Sequence, residues 1–428
     1  MAIEDDVLVI GGGLAGATAA LTAVEEGVQV RLVTYKQSTL RHASGLIDIL
    51  GYTPGGDGPI VDPFEALSAL PEGHPYERVG TEAVRDALSF FDEIAGDAYA
   101  GGHTASNALV PTHGGTVKPT ARYPVSTAAG LATVPKDTLL VGFETLTDFD
   151  APLAASHLEA AGAPFEARGV TVAFPGIVRD DAKINRYAHL LDHEETVQAG
   201  AGETSAREAL AATVDANLED ESRVGFPAIL GDEHSDEVRA DLEDALGVDV
   251  FEVPMGPPSL PGMRLEDLLY DALSDAGVRV TSGVPVIDYE SDGDGAIDHV
   301  VVDRHGQEVP YRAEQYVLAT GGLVGKGVRS ERDRVFEPVF DCHVPHAAER
   351  YDWFVEDVFG EQPYARFGLV PDRELRPLDE DDEPEFSNLR AAGGVLGGYD
   401  YAAEKSGAGV SLATGYVAGG RAGTEASR

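Results

Sequence analysis

Residues 7–34 place the tightest constraint on how this chain folds. VLVI (residues 7–10) is a short apolar run of the kind buried in a parallel sheet. It leads into Gly11-Gly12-Gly13-Leu14-Ala15-Gly16, a G-x-G-x-x-G. A helix is predicted from about 14 to 26, with Ala15, Ala19 and Ala23 on an inner face small enough to lie close to a sheet. Gly27 ends it, and VQVRLV (28–33) alternates as the next strand. Gly11 permits the tight turn after the strand, Gly13 lets a phosphate approach the backbone, and Gly16 allows helix and strand to touch. The helix N-terminus, with Leu14 and Ala15 in its first turn, supplies N–H donors and the positive end of the dipole. The segment reads as a nucleotide-binding βαβ unit.

An acid is expected at the end of the second strand, where it takes the ribose hydroxyls of an adenosine half. The sequence has Thr34-Tyr35-Lys36 instead. A ligand ending in a single phosphate is served by Lys36, and FMN fits that description. NADP, with its extra phosphate, fits equally on this local ground, and a merely exposed lysine is the third reading. Other glycine clusters favour flavin over nicotinamide. YVLAT (316–320) ends at Thr320 and runs into Gly321-Gly322, and AAGGVLGG (391–398) contains Gly393 and Gly394. Gly407, Gly409 and Val410 open a last helix. An exposed N-terminus there would stabilise the negative charge at the N1/O2 edge of a reduced flavin.

A chain of 428 residues exceeds what one core usually organises, so two lobes are expected. The fold class is α/β, a Rossmann-like FAD/NAD(P)-binding flavoprotein fold with an inserted α+β cap or substrate domain. The flavin domain is assembled from 1–65, 255–335 and 384–428, and the cap from 66–254 and 336–383.

The 74 acidic residues against 31 basic ones give a formal charge of −43, and only six of the cations are lysines. Such a surface repels nucleic acid and anionic membranes. The acids are spread along the whole chain, as solvent adaptation to concentrated salt requires, and a halophilic host follows. The run from Asp379 to Glu383 is read as a solvated loop of the same kind. With a single cysteine, Cys342, neither an internal disulfide nor an iron–sulfur cluster on four cysteines is available. The acidic start MAIEDD is no secretory signal. No apolar run of about 18 residues exists to span a membrane, so a cytoplasmic location is expected.

Six stretches carry a resemblance: VIGGGLAG (9–16), QSTLRHASGLIDIL (37–50), HPYERVG (74–80), FPAILGD (226–232), PPSLPGMRL (257–265) and NLRAAGGVLGGYD (388–400). Together they resemble the B subunit of anaerobic glycerol-3-phosphate dehydrogenase over nearly the whole length. The resemblance implies an FMN-binding subunit, with FAD as the alternative. It pairs with an FAD-containing A subunit to oxidise sn-glycerol 3-phosphate to dihydroxyacetone phosphate. An iron–sulfur C subunit then ties the pair to the inner face of the cell membrane and passes electrons to quinone.

That oxidation needs hydride transfer from C2 to flavin N5, a base for the hydroxyl proton and cations for the phosphate. His42 lies in RHASG (41–45), with Ser44 and Gly45, where this class of flavoprotein brings a loop alongside the isoalloxazine. It is the candidate base, with a solvated loop histidine as the plainer reading. Arg264 is a candidate anion clamp or a structural ion pair. Arg186, in INRYAHLLDHEE (184–195), is either a second clamp or part of a surface network with Glu194 and Glu195. His343 and His346 beside Cys342 lack further evident ligands, and no metal is expected. A self-sufficient flavin or NADP oxidoreductase, and an electron-relay or scaffold subunit, are the competing functions.

Overall fold

β1 (Ile3–Ile10) and β2 (Val30–Thr34) pair in parallel, Val7 opposite Val30 and Ile10 opposite Val33, with α1 (Leu14–Glu25) as the crossover. This computed structural model describes residues 3–36, 38–179, 182–199, 202–293 and 295–428. Gln37, the first residue of the QSTLRHASG stretch, lies outside them. The chain divides into two compact units. One comprises Met1–Thr39, Asp48–Ala95 and Leu268–Arg428, and the other Leu40–Ile47 and Gly96–Asp267.

In the first unit, strand Arg279–Ser282, β2, β1 and β3 (Glu308–Leu318) run parallel in that order. β3 is long enough to serve two neighbours on its far side. Its start pairs antiparallel with Ile297–Asp303, and its end pairs parallel with β4 (Leu389–Ala391). The carboxyl ends of β1, β2, β3 and β4 therefore point the same way, which is where open parallel sheets bind ligands.

VLVI reads as an unbroken apolar run because both faces of β1 are covered. Leu8 and Ile10 share a core with Tyr316 and Leu318 of β3 and with Phe340, Trp353 and Leu369. Segment 336–383, expected from sequence to be part of the cap, thus packs into the core of the nucleotide-binding unit. Residues 66–95 belong to the same unit, while the short stretch 40–47 belongs to the other. Beyond the end of the two-residue strand Val335–Phe336, the 336–383 segment holds single-turn helices and isolated bridges, so it lacks the strand and helix periodicity that marks a Rossmann half.

α1 touches the turn after β1 through Gly16, not through Ala15, Ala19 and Ala23. Ala15, Ala19 and Ala23 face α2 (Gly407–Ala426) instead. A Cβ on Gly415, Gly419 or Gly423 would lie 2.5, 2.1 and 2.8 Å from their respective carbonyl oxygens. Two small-residue stripes of equal spacing let the helices touch backbone to backbone.

The second unit is built on a four-stranded parallel sheet in the order Asp249–Val253, Arg223–Pro227, Thr138–Phe143, Ala167–Val172. Phe143, Phe174, Tyr187 and Phe226 form the aromatic centre of its core, with the Phe143 and Phe174 rings edge to face at 5.0 Å. Arg223 is fully buried and donates to the carbonyls of Ala129, Leu131 and Val134 and to the Thr138 hydroxyl. Burial pushes its guanidinium down to about 10, with the Asp249 and Asp137 charges partly opposing. Among the described residues no helix is long and apolar enough to cross a membrane.

Candidate functional site

At the carboxyl end of β1, Gly11 turns the chain with φ +118°, and a Cβ there would strike the Ala319 carbonyl oxygen at 2.1 Å. Gly13 contrasts with it, because a Cβ at this position would meet nothing within 4 Å. Gly13 is also the N-cap of α1. No side chain caps that helix and no acid sits in its first turn, so the N–H donors of Leu14, Ala15 and Gly16 are left without a side-chain cap.

On the neighbouring strand, the turn after β3 closes on the turn after β4. A Cβ on Gly322 would lie 2.6 Å from the Gly394 carbonyl oxygen, and one on Gly393 would lie 2.6 Å from the Ala15 Cβ. The Gly393 N–H donates to Thr414 Oγ1 at 2.8 Å. The clusters at 11–16, 320–322 and 393–394 are thus brought together around the first turn of α1. Thr320 Oγ1 is buried in this region without a hydrogen-bond partner. A backbone cradle, an uncapped helix end and an orphaned hydroxyl are what a nucleotide phosphate requires.

At the end of β2, the buried Thr34 hydroxyl donates to the Lys36 carbonyl at 3.0 Å, and Lys36 itself is exposed beside the Tyr35 ring. Tyr270 donates its hydroxyl to the Gly12 carbonyl at 3.1 Å. A Cβ on Gly12 would meet both Tyr270 Oη, at 2.3 Å, and Thr34 Oγ1, at 3.1 Å. The place of the missing acid is therefore furnished with two neutral hydroxyls. Sequence reasoning misses Tyr270, which comes from a helix some 230 residues downstream with no motif around it.

Gly407, Gly409 and Val410 have a different position. The Ala408 N–H donates to the Asp48 carboxylate at 2.9 Å and the Gly409 N–H to the Asp48 carbonyl at 2.7 Å. Gly409 is buried against Tyr76 and Ile49, and Val410 is fully buried. The end of α2 is occupied by the chain's own carboxylate and is not exposed, contrary to the expectation from sequence. Beside it, His74 of HPYERVG accepts the Tyr76 N–H at Nδ1, 3.1 Å away, and so donates from Nε2 to Glu404 at 3.0 Å. Both partners are buried.

In the second unit, the RHASG loop is clamped to the start of helix Leu260–Asp275. A Cβ on Gly262 would strike the Leu40 and Ala43 carbonyl oxygens at 2.2 and 2.4 Å, and one on Gly45 would lie 2.7 Å from Pro261 Cβ. Arg41 pairs with Glu266 at 2.8 Å. Ser44 Oγ accepts the Leu46 N–H. His42 is exposed and makes no hydrogen bond among the described residues.

Arg264 forms a forked pair with buried Glu252, at 2.6 and 3.0 Å, and also donates to the Gly231 carbonyl. Burial pushes the Glu252 carboxyl up, but the Arg264 charge and hydrogen bonds outweigh it and hold the group below its usual value. Arg264 Nε and Asp232 Oδ1 are buried without hydrogen-bond partners. Burial raises the Asp232 carboxyl, with Arg264 partly opposing. Asp232, the last residue of FPAILGD, is a second group that sequence reasoning overlooks. Its signal is the motif end itself. A half-buried carboxylate with a raised pKa beside a cation is suited to accept a proton.

Arg186 lies at the surface in a forked pair with Glu195, at 2.7 and 2.8 Å, while Glu194 turns to Arg207. In the first unit, His346 spends both ring nitrogens on Val344 and Val335. Cys342 is buried, its thiol pushed up by burial and then by the Glu385 and Glu337 carboxylates.

A family described as FAD binding domain matches residues 6–410. The chain is 59% identical, over 98% of its own length and 98% of the relative's, to a Halobacterium salinarum protein named as the probable B subunit of anaerobic glycerol-3-phosphate dehydrogenase. It is 33% identical to the B subunit of the Yersinia pestis anaerobic glycerol-3-phosphate dehydrogenase, covering 95% of each. Among solved structures, a 3-ketosteroid delta1-dehydrogenase of Sterolibacterium denitrificans overlaps 99% of each chain at 12% identity and a TM-score of 0.45. The phosphate loop and the six sequence stretches thus sit in a flavoprotein of the FAD binding domain family, and the chain belongs to the family of anaerobic glycerol-3-phosphate dehydrogenase B subunits.

Proposed function

We propose that this chain is the flavin-binding B subunit of a quinone-linked dehydrogenase that oxidises sn-glycerol 3-phosphate to dihydroxyacetone phosphate. An FAD-containing A subunit and an iron–sulfur C subunit are its partners, and the complex sits on the inner face of the cell membrane. The observation that carries the flavin part is the gathering of Gly11–Gly16, Thr320–Gly322 and Gly393–Gly394 at the carboxyl ends of parallel strands. The reaction and the partners rest on the family.

The nucleotide is FAD in this reading. The absence of an acid after β2 favours FMN, but Thr34 and Tyr270 present hydroxyls there, and the matching family is described by FAD binding. When bound, the flavin accepts a hydride. The chain's own part is to hold phosphates on the α1 N-terminus and to take the substrate's hydroxyl proton. His42 and Asp232 are the candidate proton acceptors. Of the two arginines that could clamp the substrate phosphate, Arg264 has an unpartnered Nε to offer, whereas Arg186 is engaged by Glu195.

The test is to purify the chain in concentrated salt, release its cofactor by heat and identify it by chromatography. FAD is expected. FMN would return the argument to the missing acid, and a colourless folded protein would favour a scaffold. Reduction of a quinone analogue by the co-expressed complex, dependent on sn-glycerol 3-phosphate, tests the reaction. Turnover without any partner would favour a self-sufficient oxidoreductase.

A further inference from the structure

The glycine clusters that meet at the first turn of α1 stand in acid-free sequence. Residues 7–24, 315–330 and 386–399 contain no aspartate or glutamate, on a chain that carries 74 of them in 428 residues. Three cations lie in those runs: Lys326, Arg329 and Arg390. Arg390 is buried and spent within the fold, on Glu425 at 2.7 Å and on the Gln315 side chain at 2.7 Å. Arg329 belongs to the short strand Arg329–Ser330 and lies opposite Phe336. Lys326 is exposed, and its ammonium makes no hydrogen bond or ion pair among the described residues.

The backbone holds this lysine against the cradle. After β3 the chain turns at Gly321 with φ +79° and folds back, the Val328 N–H donating to the Gly322 carbonyl at 3.4 Å. Both neighbours of Lys326 press on that turn. A Cβ on Gly325 would lie 3.2 Å from the Gly321 Cα, and one on Gly327 would lie 2.0 Å from the Gly321 carbonyl oxygen. Gly322 in turn abuts Gly394, and Gly393 abuts Ala15.

Lys326 itself has φ +68°, the left-handed region that a residue with a Cβ seldom enters. Lysine lacks the short polar side chain with which asparagine and aspartate satisfy the local backbone there. Glycine adopts this conformation without strain, and glycine stands on either side. A strained conformation kept beside a ligand cradle points to a use for the side chain.

The cradle lacks a full positive charge. Residues 11–16, 320–322 and 393–394 include no cation, and the α1 N-terminus supplies about half an elementary charge. The diphosphate of a dinucleotide is doubly negative and must enter the field of a chain of net charge −43. We propose that Lys326 binds the diphosphate bridge of FAD, as the point charge that completes the cradle. Lys36 does not fill this place, because it follows β2, where dinucleotides put the adenosine ribose, and it stands beside the Tyr35 ring. The proposal rests on the reading of the nucleotide as FAD.

The experiment titrates the full chain, stripped of cofactor, with FAD, ADP and riboflavin in concentrated salt. Lys326→Gln is expected to weaken FAD and ADP by about tenfold or more, with riboflavin affinity and melting temperature unchanged. Riboflavin has no phosphate, so a general distortion of the site would move it too. Lys326→Gly separates binding from folding. It relieves the strain and should melt at or above the wild-type temperature, yet lose FAD affinity as Lys326→Gln does. Lys326→Arg keeps the charge and retains most of the affinity, and Arg329→Gln binds FAD as the wild type does. Wild-type FAD and ADP affinity in Lys326→Gln would overturn the proposal while leaving the FAD reading intact. So would an equal loss of riboflavin, or an equal loss of FAD from Arg329→Gln. If the wild-type chain binds neither FAD nor ADP, the FAD reading fails and the proposal fails with it.

Discussion

A β-carbon on Gly16 would stand 1.8 Å from the carbonyl oxygen of Gly11. The contact is backbone to backbone, so no rotamer relieves it, and α1 must move off β1 for any larger residue to fit. Gly16→Ala is expected to destabilise the first unit by about 1–3 kcal/mol and to lose flavin. Gly13→Ala separates the two effects, because the space above Gly13 is open. Its unfolding free energy without cofactor should stay within about 1 kcal/mol of wild type, while flavin affinity falls at least tenfold. Thermal melts of stripped protein and flavin fluorescence titration check both.

Arg264 and Glu252 form a buried charge pair, and removing either partner strands the other. Glu252→Gln is expected to cost about 3–5 kcal/mol, read as a shifted urea midpoint for the second unit. Arg186→Ala, by contrast, breaks a surface pair worth less than about 1 kcal/mol. It should leave both the midpoint and turnover unchanged. An effect of Arg186→Ala on KM for sn-glycerol 3-phosphate would restore its place as a phosphate clamp.

Glu337 is fully buried, and burial pushes its carboxyl up to about 7 although the Val339 and Phe340 N–H groups favour its charged form. A group whose folded value is raised binds more protons folded than unfolded. Its contribution is complete below the ordinary carboxylate value and is lost as pH rises towards about 7. The interval corresponds to about 3 kcal/mol. Melting temperatures of Glu337→Gln and wild type, compared from pH 4.5 to 8, should diverge in slope below about 7 and run parallel above it.

The charge of −43 predicts a requirement for salt. At about 0.1 M the Debye length is about 10 Å, long enough for neighbouring carboxylates to repel, and it falls to about 3 Å at 1 M. Melting temperature should rise steeply over that range. A flat response would remove the salt-adaptation reading.

Local features are the legible ones. β1, the phosphate loop, α1 and β2 follow from thirty consecutive residues because strand apolarity, glycine spacing and helix length act within them. The convergence of Gly322 with Gly394 depends on β3 and β4 being neighbours, and sequence supplies the two clusters without their pairing. The alanine stripe of α1 reads as a sheet-facing surface, since nothing in residues 14–26 reveals that Gly415, Gly419 and Gly423 repeat its spacing. Segment 336–383 reads as cap because Phe340, Trp353 and Leu369 reach the sheet core from turns, which have no period to read. At the candidate site, loop and turn context points to His42 and Arg264. Tyr270 and Asp232 acquire their settings only through contacts made on folding.

The interlock of α1 with α2 bears on when the protein acquires its cofactor. The helix that braces α1 is made about 390 residues after the phosphate loop. At about 5–20 residues per second the ribosome needs roughly 20–80 s to bridge that gap. During that time α1 lacks its packing partner and β3 and β4 are absent from the sheet. Flavin retention is therefore expected to require synthesis through the last helix, and a chain truncated before residue 407 is expected to lose flavin in a cofactor-release assay.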